Sequence, residues 1–125
     1  MSITKNEWLI MIQDRPGVLQ TRYDNTPTHI AYYKPVREQG QLIFAGPMLS
    51  AHPQKAGDPL NIVGSILVLN LDTLEDVWKL LREDPFNKTG VWDLDKTTIT
   101  PFKSTVRTPF WSNLRDLLSL GSKNE

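Results

Sequence analysis

The chain has 125 residues, with 14 basic and 14 acidic side chains in balance, two histidines and no cysteine. That length suits one globular domain, and a balanced charge offers no field to a polyanion, which argues against nucleic acid or an acidic membrane surface as a partner. The missing cysteines exclude disulfides, thiolate metal sites and a cysteine nucleophile, and two imidazoles are too few for an ordinary zinc site.

Trp8-Leu9-Ile10-Met11-Ile12 is a continuous apolar run of strand length, closed by the Pro16-Gly17 turn signal. Val18 to Asn25 is polar and leads into a helix expected from about Pro27 to Gln39, with Gly40 as its terminator. Thr26-Pro27 marks its start, because the residue before proline avoids the helical region while a proline at the first position wastes no N–H. Pro35 should kink that helix or break it in two. Gln41 to Ala45 reads as the second strand, ended by Gly46-Pro47.

Ser50 to Asn61, with two prolines and a glycine, is a long loop, and loops of that length in a compact domain are often functional lids. Ile62 to Leu71 is the longest apolar run and reads as a central strand, where Gly64-Ser65 permits close approach of a ligand or another backbone. Asp72-Thr73-Leu74-Glu75 resembles a capping box with Asp72 as cap, and Leu74, Val77, Trp78 and Leu81 follow at helical spacing. This second helix must end by Asp84, because Pro85 follows. A last strand starts at Val91 and continues, with a turn or bulge near Asp95-Lys96, to Phe102. Past Lys103, Ser112 to Leu118 describes a short helix that needs a surface to dock on.

The order is strand, helix, strand, strand, helix, strand: an α+β, ferredoxin-like βαββαβ plan with an antiparallel sheet and a C-terminal tail helix. Helices cover one face of such a sheet, yet these strands are apolar on both, so a homodimer through the open sheet face is expected. No run approaches the roughly 18 apolar residues of a membrane span, and the first residues lack the apolar core of a secretion signal, so a cytoplasmic protein is expected.

Two residues are candidates for chemistry, and His29 read on its own either acts as a base or merely caps or packs. His29, placed in the first turn of the first helix, would feel the positive end of the macrodipole and stay neutral, able to act as a base. Asp84 stands at a helix C-terminus, where the dipole opposes its charge. It either caps the next turn through the N–H of Phe86 or Asn87, or bonds His29 and fixes its tautomer.

With these pieces in place, the chain resembles the YciI-like (YCII-related) proteins of the dimeric α/β-barrel superfamily. The resemblance rests on Pro27-Thr28-His29-Ile30-Ala31, Gly40, Ala45-Gly46-Pro47, Gly64-Ser65, Asp84-Pro85-Phe86, Gly90-Val91 and Pro101-Phe102-Lys103, spanning about residues 8–103. It implies a YCII-related domain over residues 1–103 with a C-terminal extension over 104–125. It also implies a dimer with a pocket in each subunit and a catalytic dyad of His29 and Asp84. Some members of that superfamily act on small cyclic or aromatic compounds, by dehydrochlorination or lactone isomerisation. Relatives often carry an arginine three residues before the histidine; here that position is Thr26, and Arg22 matches a second, upstream arginine that could take its place.

The function expected is cofactor-free proton transfer, of lyase or isomerase type, on a small cyclic or aromatic metabolite. His29 would move the proton and Asp84 orient it, Ser65 would hydrogen-bond a substrate oxygen, and Tyr33 or Phe44 would form an aromatic wall. No metal or nucleotide motif is present. The competing expectation is a non-catalytic dimer that binds a small metabolite or serves as an interaction module.

Overall fold

The structure is a computed structural model and describes residues 6–107. The tail helix expected over residues 112–118 lies outside the described residues. Four strands, β1 (Asn6–Asp14), β2 (Leu42–Leu49), β3 (Ile62–Leu71) and β4 (Trp92–Phe102), form one sheet in the order β2-β3-β1-β4. Every neighbouring pair is antiparallel. Three helices, α1 (Leu19–Glu38), α2 (Leu74–Arg82) and α3 (Pro85–Lys88), complete the ferredoxin-like plan.

The two central strands show how the apolar runs divide. Ile10 and Ile12 of β1 pair with Leu67 and Ser65 of β3, and together with Leu69, Leu71, Val77, Leu81, Phe86 and Trp92 they form the buried core on the helical side. The alternate residues look the other way, where Met11 (41% exposed), Phe44 (57%) and Phe102 (42%) leave a broad apolar surface in contact with solvent.

Several boundaries differ from those expected. β2 does not stop at Gly46-Pro47 but continues to Leu49, with Pro47 opposite Ser65. It is an edge strand, and there a proline's missing donor costs no ladder bond. The close approach at Gly64 is to protein, not ligand: a Cβ there would stand 2.4 Å from the Ile12 carbonyl oxygen and 2.4 Å from Met48 Cε. The cap of α2 is Thr73, whose hydroxyl accepts from the Asp76 N–H at 3.1 Å, one residue later than the sequence suggests. Ile12 and Gln13 of β1 face Thr97 and Asp93, so β4 bulges over the three residues between, at the Asp95-Lys96 position expected to turn.

The largest departure is α1. It begins at Leu19 and runs unbroken through Pro27 and Pro35 to Glu38, ending at Gly40, whose φ of 73° suits glycine. Thr26 is therefore not a boundary. Its hydroxyl donates to the Arg22 carbonyl and Asn25 Nδ2 to the Thr21 carbonyl, both at 2.8 Å, within the turn that precedes Pro27. His29 consequently sits in mid-helix, far from the first-turn N–H groups, and the dipole argument for its neutrality does not apply.

Candidate active site

Arg22, Thr26, His29, Ile30, Tyr33 and Arg37 recur at three- and four-residue intervals and so share one face of α1. That face lines a cleft of about 410 Å³ whose opposite walls are β2, β3 and the start of α3. Its volume is within the range of small-molecule sites.

At its floor, His29 Nδ1 lies 3.0 Å from Asp84 Oδ1. Asp84 is completely buried and caps α3, its Oδ1 accepting the Phe86 N–H at 2.7 Å. Both roles considered for Asp84 thus hold at once. α2 ends at its C-cap Glu83, and Asp84, the next residue, is at once the N-cap of α3, a helix start that the sequence did not suggest. A carboxylate already accepting from an amide also accepts from the ring, which places the imidazole proton on Nδ1 and leaves Nε2 with its lone pair.

The ring is held by three aromatics: stacked on Phe86 (4.0 Å, 13°) and met edge-on by Tyr33 (5.0 Å) and Trp92 (5.8 Å). Asp84 Oδ2 and the Tyr33 hydroxyl are buried without a hydrogen bond of good geometry among the described residues. Burial first, and then the Asp84 charge, push the Tyr33 hydroxyl far above the ordinary tyrosine range, so it stays protonated.

Beside this pair lies a second polar group. Arg22 Nη1 meets Asp14 Oδ1 and Oδ2 at 2.7 and 2.9 Å, and Nη2 donates to Ser65 Oγ at 2.7 Å. The guanidinium also lies over the Phe86 ring, 4.6 Å from its centroid. Trp92 Nε1 donates to the same Ser65 oxygen at 3.1 Å, so what Ser65 has left to offer a ligand is its proton. Burial raises the Asp14 carboxyl above its usual range against the pull of Arg22. Arg22 is 4% exposed and already ion-paired to Asp14, which makes it a poor substitute for an arginine that binds substrate anions directly.

The structure thus gathers five of the six residues singled out in the sequence: His29, Asp84, Arg22, Tyr33 and Ser65. Phe44 is the exception. Leu42 pairs with Leu69, but Phe44 pairs with Val68, so Ile43 is an extra residue and the bulge turns Phe44 to the open face of the sheet. The aromatic wall is Phe86 instead. Asp14, Phe86, Trp92 and Arg37 went unremarked as site residues; for Phe86 the signal was its place after Asp84-Pro85. His52 and Lys55 stay exposed in the 50–61 loop, away from the cleft lining. That loop is tied back to α1 by the Tyr23 hydroxyl, which donates to the Leu60 carbonyl at 2.5 Å.

A single antiparallel sheet with helices on one face and a histidine–aspartate pair opening into a cleft defines a ferredoxin-like protein with a site of small-molecule size. The chain belongs to the YCII-related family, whose domain matches residues 7–103. It is 39% identical over 109 residues to the xenovulene A biosynthesis cluster protein asL2 of Sarocladium schorii, covering 82% of this chain and 92% of that one. It is 37% identical over 84 residues to the derivative of benzaldehyde biosynthesis cluster protein C of Emericella nidulans, covering 67% and 86%. Among solved structures it resembles the 5-chloro-2-hydroxyhydroquinone dehydrochlorinase TftG of Burkholderia phenoliruptrix, in complex with 2,5-dihydroxybenzoquinone. There the TM-score is 0.66 and the identity 31%, over 78% of this chain and 93% of that chain. Among the described residues no helix is long and apolar enough to cross a membrane, and no three His, Asp or Glu side chains cluster as metal ligands.

Proposed function

We propose that this protein is a cofactor-free enzyme that moves a proton on a small cyclic or aromatic compound, with His29 as proton carrier and Asp84 as the residue that orients it. The observation that carries the reading is the 3.0 Å contact between His29 Nδ1 and the buried Asp84, inside a cleft that His29 itself lines. Nε2 takes a proton from an acidic carbon of the ring. The electron pair moves onto a ring oxygen or expels a leaving group on the neighbouring carbon, and the imidazolium formed is stabilised by the carboxylate behind it. Ser65 donates its hydroxyl to a substrate oxygen, and Phe86 with Tyr33 holds the imidazole plane. The neighbour named as a dehydrochlorinase supports the elimination form of this chemistry, and the biosynthesis-cluster relatives support a small organic substrate.

A second copy of the chain covers the open sheet face in this reading, because Met11, Phe44 and Phe102 are large apolar side chains exposed together on that face.

The test is proton exchange. Hydroxyhydroquinone and its 5-chloro derivative are incubated with the protein in D2O, and loss of the ring C–H signal and release of chloride are followed. The wild type is expected to accelerate one or both, and His29→Asn to lose about 10²–10⁴-fold of that acceleration. Equal rates for wild type and variant would overturn the reading, and binding without turnover would leave a metabolite-binding module in its place.

A further inference from the structure

The cleft holds two arginines with opposite fates. Arg22 at the floor is neutralised by Asp14, and its Nη1 and Nη2 are hydrogen-bonded to Asp14 and Ser65. Arg37 lines the same cleft at its solvent end, and among the described residues its side chain makes no ion pair, hydrogen bond or ring contact. Lys34 and Glu38 flank it around a shallow depression on the outer side of α1, and neither forms an ion pair there. The two carboxylates near the floor cannot serve it: Asp14 faces Arg22, and Asp84 faces Phe86 and His29.

Between His29 and Arg37 the walls are apolar, formed by Leu42, Pro47, Ile62 and Leu67. Eight residues of helix separate the two, about 12 Å of axial rise. Side chains on a helix lean toward its N-terminus, so the Arg37 guanidinium reaches back toward His29. The result is a slot with a proton carrier at one end, an apolar middle that fits a flat ring, and an unmatched cation at the mouth.

We propose that Arg37 selects ring substrates bearing a carboxylate on the side remote from the reacting carbon. The planar guanidinium accepts such a group in two parallel hydrogen bonds, which a lysine in its place would not reproduce. This rests on the cleft being the site of ring chemistry.

The test uses a matched pair, 2,5-dihydroxybenzoate and hydroquinone, which share the ring and differ by the carboxylate. Affinities are measured by calorimetry for wild type, Arg37→Gln and Arg37→Lys, with thermal unfolding to confirm intact folds. Wild type should bind the benzoate at least tenfold tighter than hydroquinone. Arg37→Gln should abolish that preference while changing hydroquinone affinity less than twofold, and Arg37→Lys should restore only part of it. Equal binding of the two compounds by wild type, a preference retained in Arg37→Gln, or no measurable binding of the benzoate at millimolar concentration would each overturn the proposal. The outcomes separate from the catalytic reading: preference lost in Arg37→Gln with no ring exchange in wild type removes the chemistry and keeps the anion site.

Discussion

Helices α1 and α2 lie on the same face of the same sheet and follow opposite rules. α2 is built as an isolated designer would build it, with a threonine cap, Glu75 and Asp76 in its first turn and Lys79 and Arg82 in its last. Val77 and Leu81 turn to the core with no exposure at all. α1 has no side-chain cap, no acidic residue in its first turn and two internal prolines, and of its buried residues one is Arg22. Its inward stripe is largely polar because that stripe is the wall of the cleft. What holds α1 down is tertiary: the ion pair of Arg22 with Asp14, the bond from Tyr32 to the Leu80 carbonyl, and the packing of Tyr33 and Val36. The comparison teaches that amphipathicity can fail on a helix whose inward face lines a cleft, since polar groups on that face displace groups placed for burial.

The contrast can be tested by breaking each helix in its own way. His29→Asn in α1 should lower turnover by about 10²–10⁴-fold, while its urea midpoint moves by the equivalent of about 1 kcal/mol or less, because asparagine can still donate to Asp84. Leu81→Ala in α2 should do the reverse, costing about 2–5 kcal/mol of stability in urea unfolding and leaving the rate per folded molecule within a few-fold. Thr73→Ala removes the α2 cap and should cost about 1 kcal/mol by the same measurement.

The smallest effect concerns the bond between the two helices. Burial, followed by the charges of Asp84 and Glu83, pushes the Tyr32 hydroxyl up to about 12. The unfolded group titrates near about 10. The folded chain therefore holds this proton more tightly, so the associated stability is complete below the unfolded value and is lost as pH rises from there through the folded one. Tyr32→Phe should be less stable than wild type at pH 8, and the gap should narrow steadily in unfolding curves taken up to pH 12. A constant gap would place the Tyr32 contribution in packing alone.

Much of this was legible beforehand, for reasons particular to each element. The apolar runs of β1 and β3 and the helical spacing of Val77, Trp78 and Leu81 are local patterns, and local patterns place elements. His29 and Asp84 were legible as residues, through the Thr-Pro-Thr-His and Asp-Pro-Phe stretches, although the helix start assigned beside His29 was wrong. Thr26-Pro27 has the look of a helix start, and only the Arg22–Asp14 and Arg22–Ser65 contacts show why the chain is already helical at Leu19.

By itself, the sequence determined the order of strands and helices and the sheet's two apolar sides, because each is written in neighbouring residues. Tertiary structure alone decided which groups meet. His29 and Asp84 are 55 residues apart and Arg22 and Ser65 are 43 apart, and a separation of that kind is closed by the docking of helices on the sheet and on one another, which no local pattern encodes. One extra residue at Ile43 turned Phe44 out of the cleft, and the buried carboxylate of Asp14 engaged Arg22.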